Sequence, residues 1–111
     1  MEGQMPKISV LKQAEKIKKP YTPFPLVNVD GSHVFLGLFE GDYLKHRHPY
    51  DEFFYVISGG IEIELDKGTV TLKAGEAFLI PKKTWHKTKA ERKALVMVFE
   101  KQGLKSEFAK K

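Results

Sequence analysis

His46, Arg47 and His48 set two imidazoles two residues apart in a chain that has four histidines in all. On a β-strand such residues point to one face with Cα atoms roughly 6.6 Å apart, near enough for both rings to converge on a single cation. Leu44 would share that face, which assigns it to the interior of the fold. Glu52 follows four residues after His48, at the head of an apolar run where an unpaired buried carboxylate is costly. A nearby cation removes that cost. His86, after Trp85 and downstream of Pro81, offers a fourth ligand from a different strand. With no cysteine in the chain, any ion here is held by nitrogen and oxygen.

Each signal alone also has a plainer reading. A lone His-x-His is more often surface alternation than a ligand pair. His86 beside Trp85 could be a half-exposed packing residue, and Glu52 a solvated strand end. His33 has no partner at ligand spacing and reads as a structural or pocket-rim residue.

The elements that must position these groups are short strands. Apolar and β-branched runs at 33–39, 43–48, 52–57, 61–65, 69–73, 77–80, 85–88 and 94–100 are separated by turn signals such as Asp30-Gly31-Ser32, Glu40-Gly41-Asp42, Ser58-Gly59-Gly60 and Asp66-Lys67-Gly68. This spacing predicts an all-β sandwich or barrel. Ile61, Ile63 and Leu65 alternate with Glu62 and Glu64, so one face of that strand is wet. The run from Ala94 to Phe99 is apolar on both faces, as if covered by the barrel on one side and by the N-terminal segment or a second subunit on the other. Residues 8–19 permit a short amphipathic helix or an edge strand. Pro20, Pro23 and Pro25 keep the following residues extended. The division expected is an N-terminal extension at 1–30, a barrel at 31–101 and a polar tail or frayed turn at 102–111.

Taken together, the histidines and glycines resemble a known pattern. Gly41 through His46, His48, Glu52 and Gly59 closely resemble the first cupin motif, G-x5-H-x-H-x3,4-E-x6-G. Gly75, Pro81 and His86 resemble the second, G-x5-P-x-G-x2-H-x3-N. The resemblance spans residues 33–100 and implies a single-domain cupin jelly roll, an all-β barrel. It also implies that His46, His48, Glu52 and His86 bind one divalent transition ion, Mn, Fe, Zn, Ni or Co. The first glycine lies one residue closer to the histidines than the pattern states. Lys83 stands where the second motif has glycine and Ala90 where it has asparagine, which puts the local turn and any substrate contact in question but not the ligands.

Three neutral imidazoles and one carboxylate leave a divalent ion with a residual charge of +1 and suit those metals by ligand type. The resemblance implies a metal-dependent enzyme, an oxygenase or isomerase, acting on a small organic molecule. A non-catalytic module that holds or senses a small ligand is the alternative, since one fold hosts many functions. Phe35, Phe54, Ile63, Phe78 and Met97 are expected to line the barrel around the ion. Tyr43, Tyr50 and Tyr55 are candidate acid-base groups whose facing depends on strand register.

Composition narrows the class further. In 111 residues, 41% hydrophobic and 30% charged, there is material for one core. The net charge of +5 raises the question of nucleic acid, but the cations are lysines apart from Arg47 and Arg92, and arginine is the residue suited to bidentate phosphate and base contacts. No nucleic-acid partner is expected. The cationic run Lys82, Lys83, Lys87, Lys89, Arg92 and Lys93 reads either as a collar that draws anions to the metal or as edge lysines that prevent aggregation. No apolar run suits a secretion signal or a membrane span, so a cytoplasmic protein is expected. Abundant lysine and glutamate with few amides (Gln4, Gln13, Asn28 and Gln102) are a pattern of heat-adapted proteins. The doubly apolar last strand predicts an isologous homodimer.

Overall fold

The alternation of apolar and polar side chains draws the chain into an antiparallel barrel, seen in a computed structural model that describes residues 7–103 and 105–110. Residues 1–6 of the expected extension and residues 104 and 111 of the expected tail lie outside the described residues. The elements are α1 (Val10–Ala14), β1 (Phe24–Val29), β2 (Ser32–Asp42), β3 (His46–Arg47), β4 (Glu52–Ser58), β5 (Gly60–Leu65), β6 (Gly68–Lys73), β7 (Ala77–Ile80), β8 (His86–Lys101) and β9 (Glu107–Phe108). Among the described residues no helix is long and apolar enough to cross a membrane.

The longest strand, β8, is the spine of the barrel. β2 runs antiparallel beside it from Ser32↔Lys101 to Asp42↔Lys89. On its other edge β5 pairs with residues 86–89 and β4 with residues 95–100. The sequence divides β8 into two strands at 85–88 and 94–100. They are one strand because nothing between Thr88 and Ala94 is glycine or proline, and charged side chains are tolerated where a strand face is wet. Lys87 and Lys89 stand opposite Glu64 and Glu62 across the β5–β8 ladder, so this part of the cationic run is matched by carboxylates rather than gathered at the histidines. Glu40-Gly41-Asp42, read as a turn, instead belongs to β2, where an irregularity between Phe39 and Gly41 shifts the register.

The interior is filled by Phe35, Phe39, Phe54, Val56, Ile61, Ile63, Leu72, Ile80, Val96 and Val98, each buried. Of the two readings of residues 8–19 the helix is realised, as one short turn with no buried residue. The Pro-rich stretch supplies β1, which pairs with β2 so that the sheet begins at Phe24. β9 lies in the segment read as a polar tail and pairs with β3.

Parity along β8 sorts its apolar residues. Val96 and Val98 face the interior, whereas Leu95, Met97 and Phe99 face out. Leu95 is covered within the chain, but Phe99 is 40% exposed, beside Phe53 at 41% and Leu79 at 48%. These three are neighbours, because Phe53 pairs with Leu79 on one side and Phe99 on the other.

Candidate metal centre

The four ligand candidates gather at one end of the barrel, three of them at strand starts. His46 begins β3, Glu52 begins β4 and His86 begins β8, while His48 lies just past β3. His46 and His86 are direct cross-strand partners. The loops before β4 and β8 are tied together by the Lys83 N–H, which donates to the His48 carbonyl at 2.7 Å. Lys83, in the motif's glycine position, has φ of 62°. The turn here is therefore left-handed without a glycine, at an expected strain of about 1–2 kcal/mol.

All four side chains are buried, His86 completely. One nitrogen from each histidine and one carboxylate oxygen lie within 4.8 Å of one another. Glu52 Oε1 is 3.4 Å from His48 Nε2 and 3.5 Å from His86 Nε2. Two metal–nitrogen bonds of about 2.1 Å placed end to end span about 4.2 Å, so small side-chain rotations bring these atoms onto one ion. His48 Nε2, Glu52 Oε1 and His86 Nε2 are buried without any hydrogen-bond partner. Orphaned polar atoms of this kind are rare in a folded core, and a cation at their common point satisfies all three. The cluster can hold a metal.

The outward ring nitrogens support that reading. Nδ1 of His46 meets the Leu44 carbonyl at 2.7 Å, that of His86 the Thr84 carbonyl at 2.9 Å and that of His48 the Lys105 carbonyl at 3.0 Å. A ring that donates Nδ1–H to a carbonyl presents an unprotonated Nε2 to the centre. Leu44 is thus needed for its backbone; its side chain is 64% exposed rather than interior. The reason is that regular strand geometry starts only at His46, so parity cannot be extended back to Leu44.

Electrostatics divide the histidines. Burial, with the other imidazoles adding to it, lowers His46 to about 4, so this ring is neutral and ready to ligate near pH 7. Burial works against charge on His48, but the adjacent Glu52 carboxylate outweighs it and raises its pKa. Glu52 is buried, yet the imidazoles of His48 and His86 beside it hold its carboxyl well below the usual range.

A cavity of about 170 Å³ opens beside the cluster, lined by Tyr21, Phe35, Tyr43, Glu100 and Ser106 among others, with His46, His48 and Glu52 in its wall. Of the residues expected to line a pocket, Phe35 does so. Phe54 and Ile63 belong to the packed core, with Phe78 half-buried against it. Met97 is turned to the outer face, because the interior parity of β8 falls on Val96 and Val98. Of the tyrosines, Tyr43 reaches the cavity and meets the His46 ring edge-on at 5.3 Å. Tyr50 and Tyr55 are 41% and 38% exposed, away from it.

Glu100 was not legible as a site residue. It pairs in register with both Glu52 and His33, and His33 Nε2 contacts its carboxylate at 3.2 Å. Burial and the neighbouring Glu52 raise its carboxyl to about 9. The available signal was parity, since Glu100 continues the interior face of Val96 and Val98 and a carboxylate on that face needs a reason. His33 finds its partner there.

A small antiparallel barrel with imidazoles and a carboxylate gathered at one end defines the cupin class. The Cupin_2 family, described as a cupin domain, matches residues 40–100, and the chain belongs to that family. It is 38% identical over 84 residues to the uncharacterized protein YdbB of Bacillus subtilis (strain 168), covering 74% of each chain. A cupin-2 domain containing protein from Shewanella frigidimarina superposes with a TM-score of 0.84 at 27% identity, over 86% of this chain and 94% of that one. Hydroquinone 1,2-dioxygenase PnpCD, solved with Cd2+ and 4-hydroxybenzonitrile, shares the fold at a TM-score of 0.75 and 21% identity, over 86% and 72% of the two chains.

Proposed function

We propose that the protein is a metal-dependent enzyme that transforms a small organic molecule at one divalent transition ion, Mn, Fe, Zn, Ni or Co, held by His46, His48, Glu52 and His86. The observation that carries this reading is the set of buried, unpartnered Nε2 and Oε1 atoms opening onto a cavity. When bound, such an ion supplies Lewis acidity or a binding place for dioxygen. The chain's own residues do the rest. Tyr21, Phe35 and Tyr43 exclude water and hold a flat apolar body, and Glu100 keeps a proton at the cavity wall to give or to take. A volume of about 170 Å³ restricts the substrate to a compact molecule, well below the usual size of drug-binding pockets of about 300–1,000 Å³.

The oxygenase reading draws support from the shared fold of PnpCD, whose bound ligand is a small phenol-type compound. The isomerase reading draws on Glu100 as a proton carrier. Turnover of small phenols, diketones and keto acids by protein loaded with each metal in turn, followed with and without dioxygen, separates the two. The expected result is metal-dependent turnover that Glu52→Ala abolishes. Measurable ligand binding with no turnover across the panel replaces the reading with that of a non-catalytic binding module.

We propose further that the protein pairs with a second copy through the outer face of Phe53, Leu79 and Phe99. Their exposure, together with a helix α1 that buries nothing, leaves apolar surface for a partner to cover. Sedimentation is expected to give a dimer for the native chain and a folded monomer for Phe53→Glu. A native monomer at micromolar concentration overturns the pairing.

A further inference from the structure

The three ligand histidines are not held alike. His46 and His86 each direct Nδ1 at a carbonyl two residues upstream, Leu44 and Thr84, so their orientation comes with their own strands. His48 instead directs Nδ1 at the Lys105 carbonyl, 57 residues away, at 3.0 Å, with Ser106 Oγ at 3.3 Å. Its orientation depends on the C-terminal segment lying in place. That segment is held by little. Phe108 and Glu107 pair with His46 and Arg47 in a two-residue ladder, and the Ala109 N–H donates to the Lys45 carbonyl at 3.0 Å. Glu107 meets Arg47 at 2.8 Å, with side chains 62% and 34% exposed, and ion pairs so exposed contribute little to stability. Phe108 lies with its ring 5.7 Å from that of His46 and is 46% exposed.

We infer that the segment Lys105–Ala109 is a working part of the metal centre, so that its docking on β3 and the occupancy of the centre favour each other. The inference rests on the proposed metal reading. With the segment docked, the His48 ring is fixed with Nε2 toward the centre. With it undocked, Nδ1 turns to water and the ring is free to rotate. Coupling of this kind is reciprocal: whatever factor docking adds to metal affinity, the metal adds to docking. Partners that orient ligand histidines typically change metal affinity about 10–100-fold.

The test uses the full-length chain and Zn(II) as the probe. Ala109→Pro removes the N–H that bonds Lys45 while changing an exposed residue, and is expected to weaken Zn(II) binding about 10–100-fold. Glu107→Gln is expected to weaken it less, in the same direction, and serves if the proline variant folds poorly. Independently, tryptic cleavage after Lys105 in the native chain is expected to slow at least about tenfold on Zn(II) saturation, because cleavage follows the undocked population. Cleavage after Lys12 and Lys16, in the N-terminal segment, keeps its rate and controls for inhibition of trypsin. Unchanged affinity in both variants, or slowing that is equal at both ends of the chain, overturns the inference while leaving the metal reading intact. A native chain that binds no Zn(II) overturns both.

Discussion

Saturation with Zn(II) is expected to raise the midpoint of thermal unfolding by on the order of 15 °C, and His86→Ala to remove that rise. A ligand that binds only the native state at a thousandfold excess over its Kd adds about 4 kcal/mol, and each kcal/mol moves a domain of about this size by roughly 4 °C or more. The unfolded chain has no preformed site, so little of the binding energy is lost to it. His86 is fully buried, and its Nε2 is one of three atoms without a partner. Removing it opens the ligand set at its deepest point. An undiminished rise in His86→Ala would place the ion elsewhere.

The same experiment carries a pH dependence whose sign follows from the charges. His48 is raised by its pairing with Glu52. Its contribution to the metal-free protein is therefore complete below its unfolded value of 6.5 and is lost as pH rises through its higher native value. Glu100, raised from 4.5 to about 9 by burial and by Glu52, loses its contribution across that interval in the same sense. Zn(II) competes with protons for the imidazoles, and the raised pKa of His48 extends that competition upward in pH, so affinity rises with pH. The increment in midpoint is expected to grow between pH 6 and pH 8, as the metal-free protein weakens and the competing proton leaves. A flat increment across this range would show that no proton is released from the centre.

Gly59→Ala is expected to cost about 3 kcal/mol, measured as a lower urea midpoint with an unchanged slope. Gly59 has φ of +78°, and a Cβ there would lie 2.7 Å from the Lys93 carbonyl oxygen and 2.9 Å from the Ala94 Cα. The left-handed backbone costs an alanine about 1–2 kcal/mol, and forcing the β4–β5 corner off β8 adds about 1–3 kcal/mol. Gly75→Ala supplies the comparison. Its φ is +88°, but nothing lies within 4 Å of a new Cβ, so only the backbone cost applies. Equal losses in the two variants would mean that the corner gives way and that close packing at Gly59 is not what requires glycine. Metal binding is expected to survive in both, because neither glycine touches the ligand cluster.

The ligand set was legible because its signal is local. His46 and His48 lie two apart, Glu52 heads an apolar run, and His86 follows a proline at the spacing of a known motif. Strands with clean alternation, such as Ile61 to Leu65, were legible for the same reason, since period-two patterning and turn residues act within a few positions. Facing was harder to read. Met97 reads as interior but lies on the outer face, because the interior parity of β8 falls on Val96 and Val98, and Leu44 reads as interior although β3 begins only at His46. The joining of two runs into β8 depended on partners, with Glu62 and Glu64 matching Lys89 and Lys87 across the ladder.

By itself the chain determines an all-β cupin barrel and the identity of the groups that gather at its end, because burial pattern, turn chemistry and ligand type are properties of neighbouring residues. Only the tertiary structure decides that Glu100 stands between Glu52 and His33, that Tyr43 rather than Tyr50 or Tyr55 reaches the cavity, and that Lys105 orients His48. Each of these is a contact between residues far apart in sequence, created by strand register and chain return, and no local pattern encodes such a meeting.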